Sequence, residues 1–156
     1  MTVTNAMRLL TQAGISFETS EYPVDESDLS GVHAAAMLGV DADCVFKTLV
    51  ARGERKGICV FVIPVAEELD LKKCAAATGD KKMEMIHVRE LLGLTGYVRG
   101  GCTPVGMKRR FPTLIDETAV LYEKIGISGG RRGISLRLDP EQLASFIGAS
   151  FADIVR

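Results

Sequence analysis

The chain has 156 residues, of which 47% are apolar and 25% are charged, and its formal net charge is −1. This length and composition are typical of one globular domain, so we expect residues 1–156 to form a single domain with its own core. The near-neutral charge gives no general electrostatic affinity for nucleic acid, so any contact with RNA must come from a local basic patch.

Two short helices and a strand are predicted in the first forty residues. Thr4 can cap a helix that runs to about Ala13, because the apolar residues there recur at helical spacing. Residues 15–23 alternate between apolar and polar side chains, as a strand does. Ser30 can cap a second helix, which Gly39 closes.

The middle of the chain is predicted to contain two strands and two further helices. Residues 45–51 form the first strand, and residues 57–65 are almost wholly apolar, which favours a central strand covered on both faces. The helices should follow over residues 70–79, after an aspartate cap, and over residues 87–93. Each of these two helices is expected to end at its glycine.

The last third of the chain predicts a hairpin and a final helix. Residues 124–128 and 133–139 form the two strands of the hairpin, and the sequence Gly-Gly-Arg-Arg lies between them. Asp139 followed by Pro140 begins the helix. The chain is therefore expected to be an α+β domain, with a curved, mostly antiparallel, barrel-like mixed sheet flanked by short helices.

The cysteines and histidines indicate neither a metal site nor a set of disulfides, since no Cys-x-x-Cys pair occurs. We expect no metal and no cofactor. No apolar run is long enough to span a membrane and no apolar signal region occurs near the start, so we expect a cytoplasmic protein with reduced thiols. The residues concerned are Cys44, Cys59, Cys74, Cys102, His33 and His87.

Lys47 is the first candidate for a binding role. In the predicted strand VFKTLV, Val45 and Leu49 share its face by the two-residue period. Burying an ammonium group without a partner is unfavourable, so two interpretations stay open. Either Lys47 lines a polar pocket, where it could bind a phosphate or a carbonyl oxygen, or it lies on a solvated face while Phe46 and Thr48 point inwards.

Two glycine-rich segments, each next to arginine, are candidates for ligand-binding loops. In RGGCTP, Gly100 and Gly101 permit close approach of the backbone to a ligand, while Thr103 offers a hydroxyl and Pro104 stiffens the exit. The segment ISGGRRG repeats the pattern from Ser128 onwards. Either segment could be a plain turn, but their similarity suggests that they converge.

Cys102 lies in the first of these segments, yet nothing in the sequence places a histidine beside it. We therefore interpret it as a buried cysteine and not as a nucleophile. Several basic residues could form one RNA-facing surface, although a solvated surface is the ordinary explanation. These residues are Lys81, Lys82, Arg99, Lys108, Arg109 and Arg110.

Three segments, in their order and spacing, carry a resemblance to a known family: VFKTLV, GYVRGGCTPVGMKRRFPTLIDETA and ISGGRRGISLRL. Over nearly its whole length the chain resembles the YbaK/EbsC proteins, which are bacterial Cys-tRNA(Pro) deacylases related to the insertion domain of prolyl-tRNA synthetase. The resemblance implies an enzyme that removes cysteine wrongly esterified to tRNA(Pro). It also implies prolyl-tRNA synthetase as a transient partner.

The resemblance further implies a reaction without an enzyme nucleophile. The substrate's own thiol would attack its ester and release the tRNA and a cyclic thioester, which agrees with the lack of a recognisable catalytic triad. Two alternatives stay open. The chain could edit another amino acid, such as alanine, or it could be a non-catalytic module that binds prolyl-tRNA synthetase.

The family's functional residues map onto this sequence in three groups. Lys47 would hold the ester through the 3′-terminal phosphate or ribose, and with Gly101 and Thr103 it forms the catalytic group, in which backbone amides could stabilise the oxyanion. Relatives often carry another small residue at Gly129, which leaves the selectivity open. The substrate-binding group is Tyr22, Gly100, Cys102, Pro104, Ser128 and Gly129. The tRNA-facing group is Arg99, Lys108, Arg109 and Arg110.

Overall fold

The computed structural model describes residues 2–156, which form five α-helices and eight β-strands. The helices are α1 Asn5–Gln12, α2 Gly31–Leu38, α3 Leu71–Thr78, α4 Val88–Thr95 and α5 Pro140–Ile147. The strands are β1 Glu18–Glu21, β2 Phe46–Gly53, β3 Gly57–Pro64, β4 Met83–Met85, β5 Thr113–Asp116, β6 Ile125–Ser128, β7 Ile134–Leu138 and β8 Ser150–Ala152.

The helices begin where a side chain can cap them. The Thr4 hydroxyl accepts a hydrogen bond from the Met7 amide at 3.2 Å, and the Ser30 hydroxyl caps α2 in the same way. Asp70 and Asp139 cap α3 and α5. Each cap oxygen satisfies amides that the first turn leaves unpaired, so the predicted starts of these four helices are confirmed.

Two predicted boundaries are wrong. The fourth helix does not end at Gly93 but continues to Thr95, and it stops at Gly96, whose φ of 86° is left-handed. Nothing lies within 4 Å of a Cβ placed on Gly93, so this glycine weakens the helix without ending it. The first strand covers only Glu18–Glu21, because only those residues pair with β7.

The strands form two sheets instead of one. The order in the smaller sheet is β1-β7-β6, all antiparallel, and in the larger sheet it is β4-β2-β3-β5-β8. Strand β5 is parallel to both β3 and β8. An isolated bridge between Val45 and Gly126 joins the sheets. The α+β class with mostly antiparallel pairing is confirmed, but the sheets do not close into a barrel.

Hydrophobic layers cover both faces of the larger sheet. One layer lies between the two sheets and includes Leu10 of α1 and Leu143 of α5, and the other packs against Cys74 of α3. Strand β3 contributes Val62 to the first layer and Phe61 to the second, and both are fully buried. The prediction of a central strand covered on both faces is therefore confirmed.

Strand β2 has an incompletely covered edge. All eight of its residues pair with β3, whereas on the other side β4 pairs only with Ala51–Gly53. The bridge from Val45 to Gly126 and the hydrogen bond from the Ile86 amide to the Val50 carbonyl bound the gap. Residues 47–49 therefore present a strand edge that no other strand covers.

Candidate functional site

A cavity of about 360 Å³ lies at the uncovered edge of β2. Its wall is formed by β2, by α2 and the residues just before it, by the β4–α4 junction, by the facing ends of β6 and β7, and by Arg99, Gly100 and Cys102. Most of the lining side chains are apolar, with a few polar groups among them. A concave site of this size and composition is typical of small-molecule binding.

The cavity brings together part of the predicted site. The predicted residues that line it are Tyr22, Lys47, Arg99, Gly100, Cys102 and Ser128. The predicted residues that do not border it are Gly101, Thr103, Pro104, Gly129, Lys108, Arg109 and Arg110. The functional roles given to all of them stay predictions.

The Lys47 side chain is half-buried in the cavity wall, and its ammonium group makes no hydrogen bond or ion pair within residues 2–156. Burial lowers the pKa of its ammonium group, while the nearby carboxylates of Glu68 and Glu67 oppose that shift. Phe46 does point into the core and is only 2% exposed, and the Thr48 hydroxyl is buried, as the solvated-face interpretation expects, but Lys47 itself is only partly exposed and lines the cavity. A partly desolvated cation without a close partner favours an anionic or carbonyl oxygen as its ligand.

The two glycine-rich loops pack against each other. A Cβ on Gly101 would lie 3.1 Å from the amide nitrogen of Arg132 and 3.2 Å from the carbonyl carbon of Arg131. The Nε of Arg132 donates a hydrogen bond to the carbonyl of Arg99 at 2.8 Å. The loops therefore do converge, and the lack of a side chain at Gly101 serves this packing, because Gly101 does not reach the cavity.

The backbone donors at the cavity differ from those that the sequence indicated. The Gly101 amide donates to the Val98 carbonyl at 3.0 Å, and the Gly129 amide donates to a carbonyl of β7 at 2.9 Å. Neither amide is available to a substrate. The amides of Gly100 and Cys102 donate to nothing among the described residues, and both residues line the cavity.

Thr103 is fully buried behind the cavity wall. Its hydroxyl has no hydrogen-bond partner in the described part of the chain, and a Cβ on Gly130 would lie 3.8 Å from its methyl carbon. Thr103 therefore packs at the junction of the two loops. A direct contact between its hydroxyl and a substrate would need this junction to open.

Cys102 lines the cavity as a protonated thiol. Burial raises the pKa of its side chain to about 12, and a hydrogen bond with Thr95 only partly opposes this shift. A thiol with this pKa carries almost no thiolate at neutral pH, and the thiolate is the nucleophilic form. The environment of Cys102 therefore agrees with the interpretation that it is not a nucleophile.

The cavity wall contains no general base of the usual kind. Among the described residues that line it there is no histidine, aspartate or glutamate. Its titratable side chains are those of Tyr22, Lys47, Arg99 and Cys102. An activated serine or a carboxylate pair would require an imidazole or a carboxylate within hydrogen-bond reach, and this wall offers neither.

The six basic residues that could form an RNA-facing surface do not lie together at the cavity. Of these six, Arg99 alone lines the described part of the cavity wall. The guanidinium of Arg110 donates to the carbonyl of Phe146 at 2.8 Å, near the end of α5, where the helix dipole favours a cation. Lys82 pairs with Glu84 at 3.0 Å. These contacts give Arg110 and Lys82 structural partners within the chain.

Sequence reasoning missed the wall formed by the β4–α4 junction. Met85, Ile86, Val88 and Leu91 line the cavity there, and Thr48 lines it from β2. No charge, motif or periodicity marks the first four in the sequence. What marks this part of the wall is the exposure of its apolar side chains, which only the structure shows: Met85 is 44% exposed and Val88 is 63% exposed.

The described residues show neither a membrane-spanning helix nor a metal-ligating cluster. No helix within residues 2–156 is long and apolar enough to cross a membrane. No three histidine, cysteine or acidic side chains in this range lie close enough together to hold a metal ion. The absence of a cofactor stays a prediction.

The family of the chain follows from residues 29–146, which match the family model described as the aminoacyl-tRNA editing domain. The matched range contains β2, both glycine-rich loops and every lining residue of the cavity except Tyr22. The chain therefore belongs to the aminoacyl-tRNA editing domain family.

Similar proteins make the relationship more specific. The chain is 45% identical over 151 residues to a protein of Enterococcus faecalis named "Putative Cys-tRNA(Pro)/Cys-tRNA(Cys) deacylase EbsC", and the match covers 97% of this chain and 92% of that protein. It is 28% identical over 130 residues to the uncharacterized protein YwhH of Bacillus subtilis, covering 83% of this chain and 78% of that one.

Solved structures share the fold over almost their full length. One is described as "a putative trans-editing enzyme for prolyl tRNA synthetase", with a TM-score of 0.84 and 28% identity, and the match covers 99% of each chain. Another is the hypothetical protein APE2540, with a TM-score of 0.86 and 25% identity, covering 96% of this chain and 97% of that one. The expected resemblance to editing enzymes related to prolyl-tRNA synthetase is confirmed.

Proposed function

We propose that this editing domain is a deacylase that removes cysteine from mischarged tRNA(Pro), and that the thiol of the bound cysteine is the attacking group. The observation that carries the proposal is the cavity wall, in which the described residues provide a half-buried lysine but no imidazole or carboxylate group. The name of the Enterococcus relative, at 45% identity, supports cysteine as the amino acid.

The reaction balances without a group from the enzyme that bonds to the substrate. The cysteine thiol loses its proton, and its sulfur forms a bond to the carbonyl carbon of the same residue. The bond from that carbon to the ribose oxygen breaks, and the proton ends on the ribose hydroxyl. The products are tRNA and a cyclic thioester, which water can open. Because the attack is intramolecular, the entropic cost of bringing the groups together is small.

The side chains of the cavity have defined tasks in this proposal. The Lys47 ammonium binds the terminal phosphate or an oxygen of the ester, and so fixes the ester for attack. The amides of Gly100 and Cys102 are the backbone donors that can face the oxyanion, because the Gly101 amide is already bonded to Val98. The mostly apolar walls exclude water from the reacting ester.

Selectivity follows from the chemistry of the attacking group. Alanine has no nucleophile on its side chain, and a serine hydroxyl remains protonated and is a far weaker nucleophile than a thiol. Proline and cysteine have similar side-chain volumes, so size discriminates poorly between them, and a thiol-dependent reaction spares correctly charged Pro-tRNA(Pro). Arg99 at the cavity is the proposed contact to the tRNA backbone.

The test is a deacylation assay with four charged forms of tRNA(Pro), carrying cysteine, serine, alanine or proline. The proposal predicts rapid release of cysteine only. Release of alanine at a similar rate would instead favour the alanine-editing alternative and refute the thiol mechanism. Release of none of them above the uncatalysed rate would favour a non-catalytic module.

A second arm of the assay tests the proposed partner. Because the chain is nearly neutral, with a net charge of −1, we expect weak affinity for tRNA alone. Adding prolyl-tRNA synthetase should therefore lower the KM for Cys-tRNA(Pro). Adding a synthetase for an unrelated amino acid is the matched control and should leave the KM unchanged.

A further inference from the structure

The pairing pattern of β2 determines which backbone groups face the cavity. The Val65 amide donates to the Val45 carbonyl at 2.9 Å, so residues with odd numbers on this strand direct their amides and carbonyls towards β3. The Ile86 amide donates to the Val50 carbonyl at 3.3 Å, so residues with even numbers direct theirs to the opposite edge. Thr48 therefore directs its N–H and C=O to the edge at which the cavity lies.

No strand covers Thr48 on that side. Strand β4 pairs with β2 only from Ala51 onwards, and the contact with β6 is made at Val45. Thr48 lines the cavity, so its backbone acceptor and donor border the space in which a substrate would lie. A buried strand edge with unpaired groups binds extended ligands through hydrogen bonds, because those groups otherwise lose their hydration without replacement.

The side chain of Thr48 adds a third unpaired polar group. Its Oγ1 is buried and has no hydrogen-bond partner among the described residues, and its cross-strand neighbour Val62 offers none. Because no hydrogen bond holds this hydroxyl, a ligand that offers a donor can pair with it without breaking a bond of this kind.

We propose that Thr48 is a specificity-determining residue that binds the α-amino group of the aminoacyl ester through its carbonyl and its hydroxyl. This assignment rests on the proposed deacylase function. An amino group supplies several N–H donors and needs oxygen acceptors. The part of the cavity wall that the structure describes has no carboxylate to provide them, and Lys47 and Arg99 are donors only. Thr48 supplies two unpaired oxygens at one position, next to the lysine that holds the ester.

The test uses Thr48→Val, which keeps the branched shape but removes the hydroxyl, and Thr48→Ser as the variant that restores it. Each is assayed on Cys-tRNA(Pro) and on 3-mercaptopropionyl-tRNA(Pro), which has the thiol and the ester but no amino group. We expect Thr48→Val to lower kcat/KM for Cys-tRNA(Pro) about tenfold, mainly through KM, as one lost hydrogen bond would. Thr48→Ser should remain near wild type, and Thr48→Val should match wild type on the substrate without the amino group.

The outcomes separate this assignment from the proposed function. If the wild type cleaves both substrates and Thr48→Val slows both equally, or slows neither, the amino-group assignment is wrong and the deacylase proposal stands. If the wild type cleaves neither substrate, the proposed function fails and the assignment fails with it.

The stability of Thr48→Val gives a readout independent of activity. Because the hydroxyl is unpaired, its removal should leave the denaturation midpoint at or above that of the wild type. A lower midpoint would mean that the hydroxyl makes a structural hydrogen bond, and would overturn the assignment.

Discussion

The substitution Gly101→Ala tests how the two glycine-rich loops fit together. The added methyl would lie 3.1 Å from the amide nitrogen of Arg132 and 3.2 Å from two backbone atoms of Arg131, whereas an ordinary contact begins at 3.4 Å. The opposing atoms belong to the backbone, so one loop must move by about 0.3 Å or more to relieve the overlap. We therefore expect Gly101→Ala to destabilise the fold.

The expected size follows from overpacking in other well-packed sites. Such insertions cost about 1–3 kcal/mol, which for a chain of this length lowers Tm by about 2–12 °C. Because Gly100 and Cys102 flank the substituted position and line the cavity, the displaced loop should also slow deacylation about ten- to hundredfold. Thermal melts followed by circular dichroism, together with the deacylation assay, measure both effects.

Gly93→Ala is the matched control, since it is also a glycine-to-alanine change. Gly93 lies inside α4 with nothing within 4 Å of the new methyl, so the change should stabilise the protein by about 0.5–1 kcal/mol through helix propensity and leave activity intact. A Gly101→Ala protein that melts like the wild type would refute the packing explanation. If the Gly101→Ala protein had wild-type stability but no deacylase activity, Gly101 would instead have to lie against the substrate.

Three further outcomes are expected. Lys47→Ala should fold normally by circular dichroism but lose about ten- to hundredfold in kcat/KM, the size of one hydrogen bond to a charged group, and unchanged turnover would remove Lys47 from the site. Because burial lowers the pKa of Lys47 below 10.5, wild-type kcat/KM should fall as the pH rises, before pH 10.5 is reached. Across the same pH range the unfolded chain binds one proton more than the folded chain, so the wild type should gain stability with rising pH relative to Lys47→Met. Identical pH–stability curves for the two proteins would contradict this. Cys102→Ala should keep activity within about tenfold, losing only packing, whereas cysteine replaced by serine on the tRNA should abolish turnover, and the reverse result would assign the nucleophile to the enzyme.

Local features were predictable because short-range chemistry decides them. A threonine or aspartate before an apolar repeat, as at Thr4 and Asp70, caps a helix irrespective of the rest of the fold. The hairpin of β6 and β7 follows from alternation beside a glycine turn, and the two strands do pair antiparallel, although the register that sets Ser128 opposite Ser135 was not predicted. The end of α4 was not predictable, since Gly93 and Gly96 are equally good local signals and only the observed backbone distinguishes them.

The candidate site was predictable only in part. Lys47 could be singled out because burying an ammonium group in an apolar strand is unfavourable unless it has a binding partner. The glycine-rich loops could be singled out because both repeat the same Gly-Gly pattern next to arginine. The involvement of Thr48 could not be recognised, because it depends on β4 leaving part of β2 uncovered. Nor could the sequence show that the Gly101 amide donates a hydrogen bond to the Val98 carbonyl, whereas the amides of Gly100 and Cys102 donate to no described residue.

The sequence by itself therefore determined the α+β class, the capped helices, the central position of β3 and the resemblance to editing deacylases, because these depend on composition, periodicity and the order of short segments. The tertiary structure alone decided that the strands divide into two sheets and that the glycine loops pack on each other. It also decided that the cavity lies at an open strand edge, where no imidazole or carboxylate of residues 2–156 lines it. These properties depend on contacts between segments far apart in the chain, and the pattern of a single segment cannot encode which of its neighbours will be present or absent.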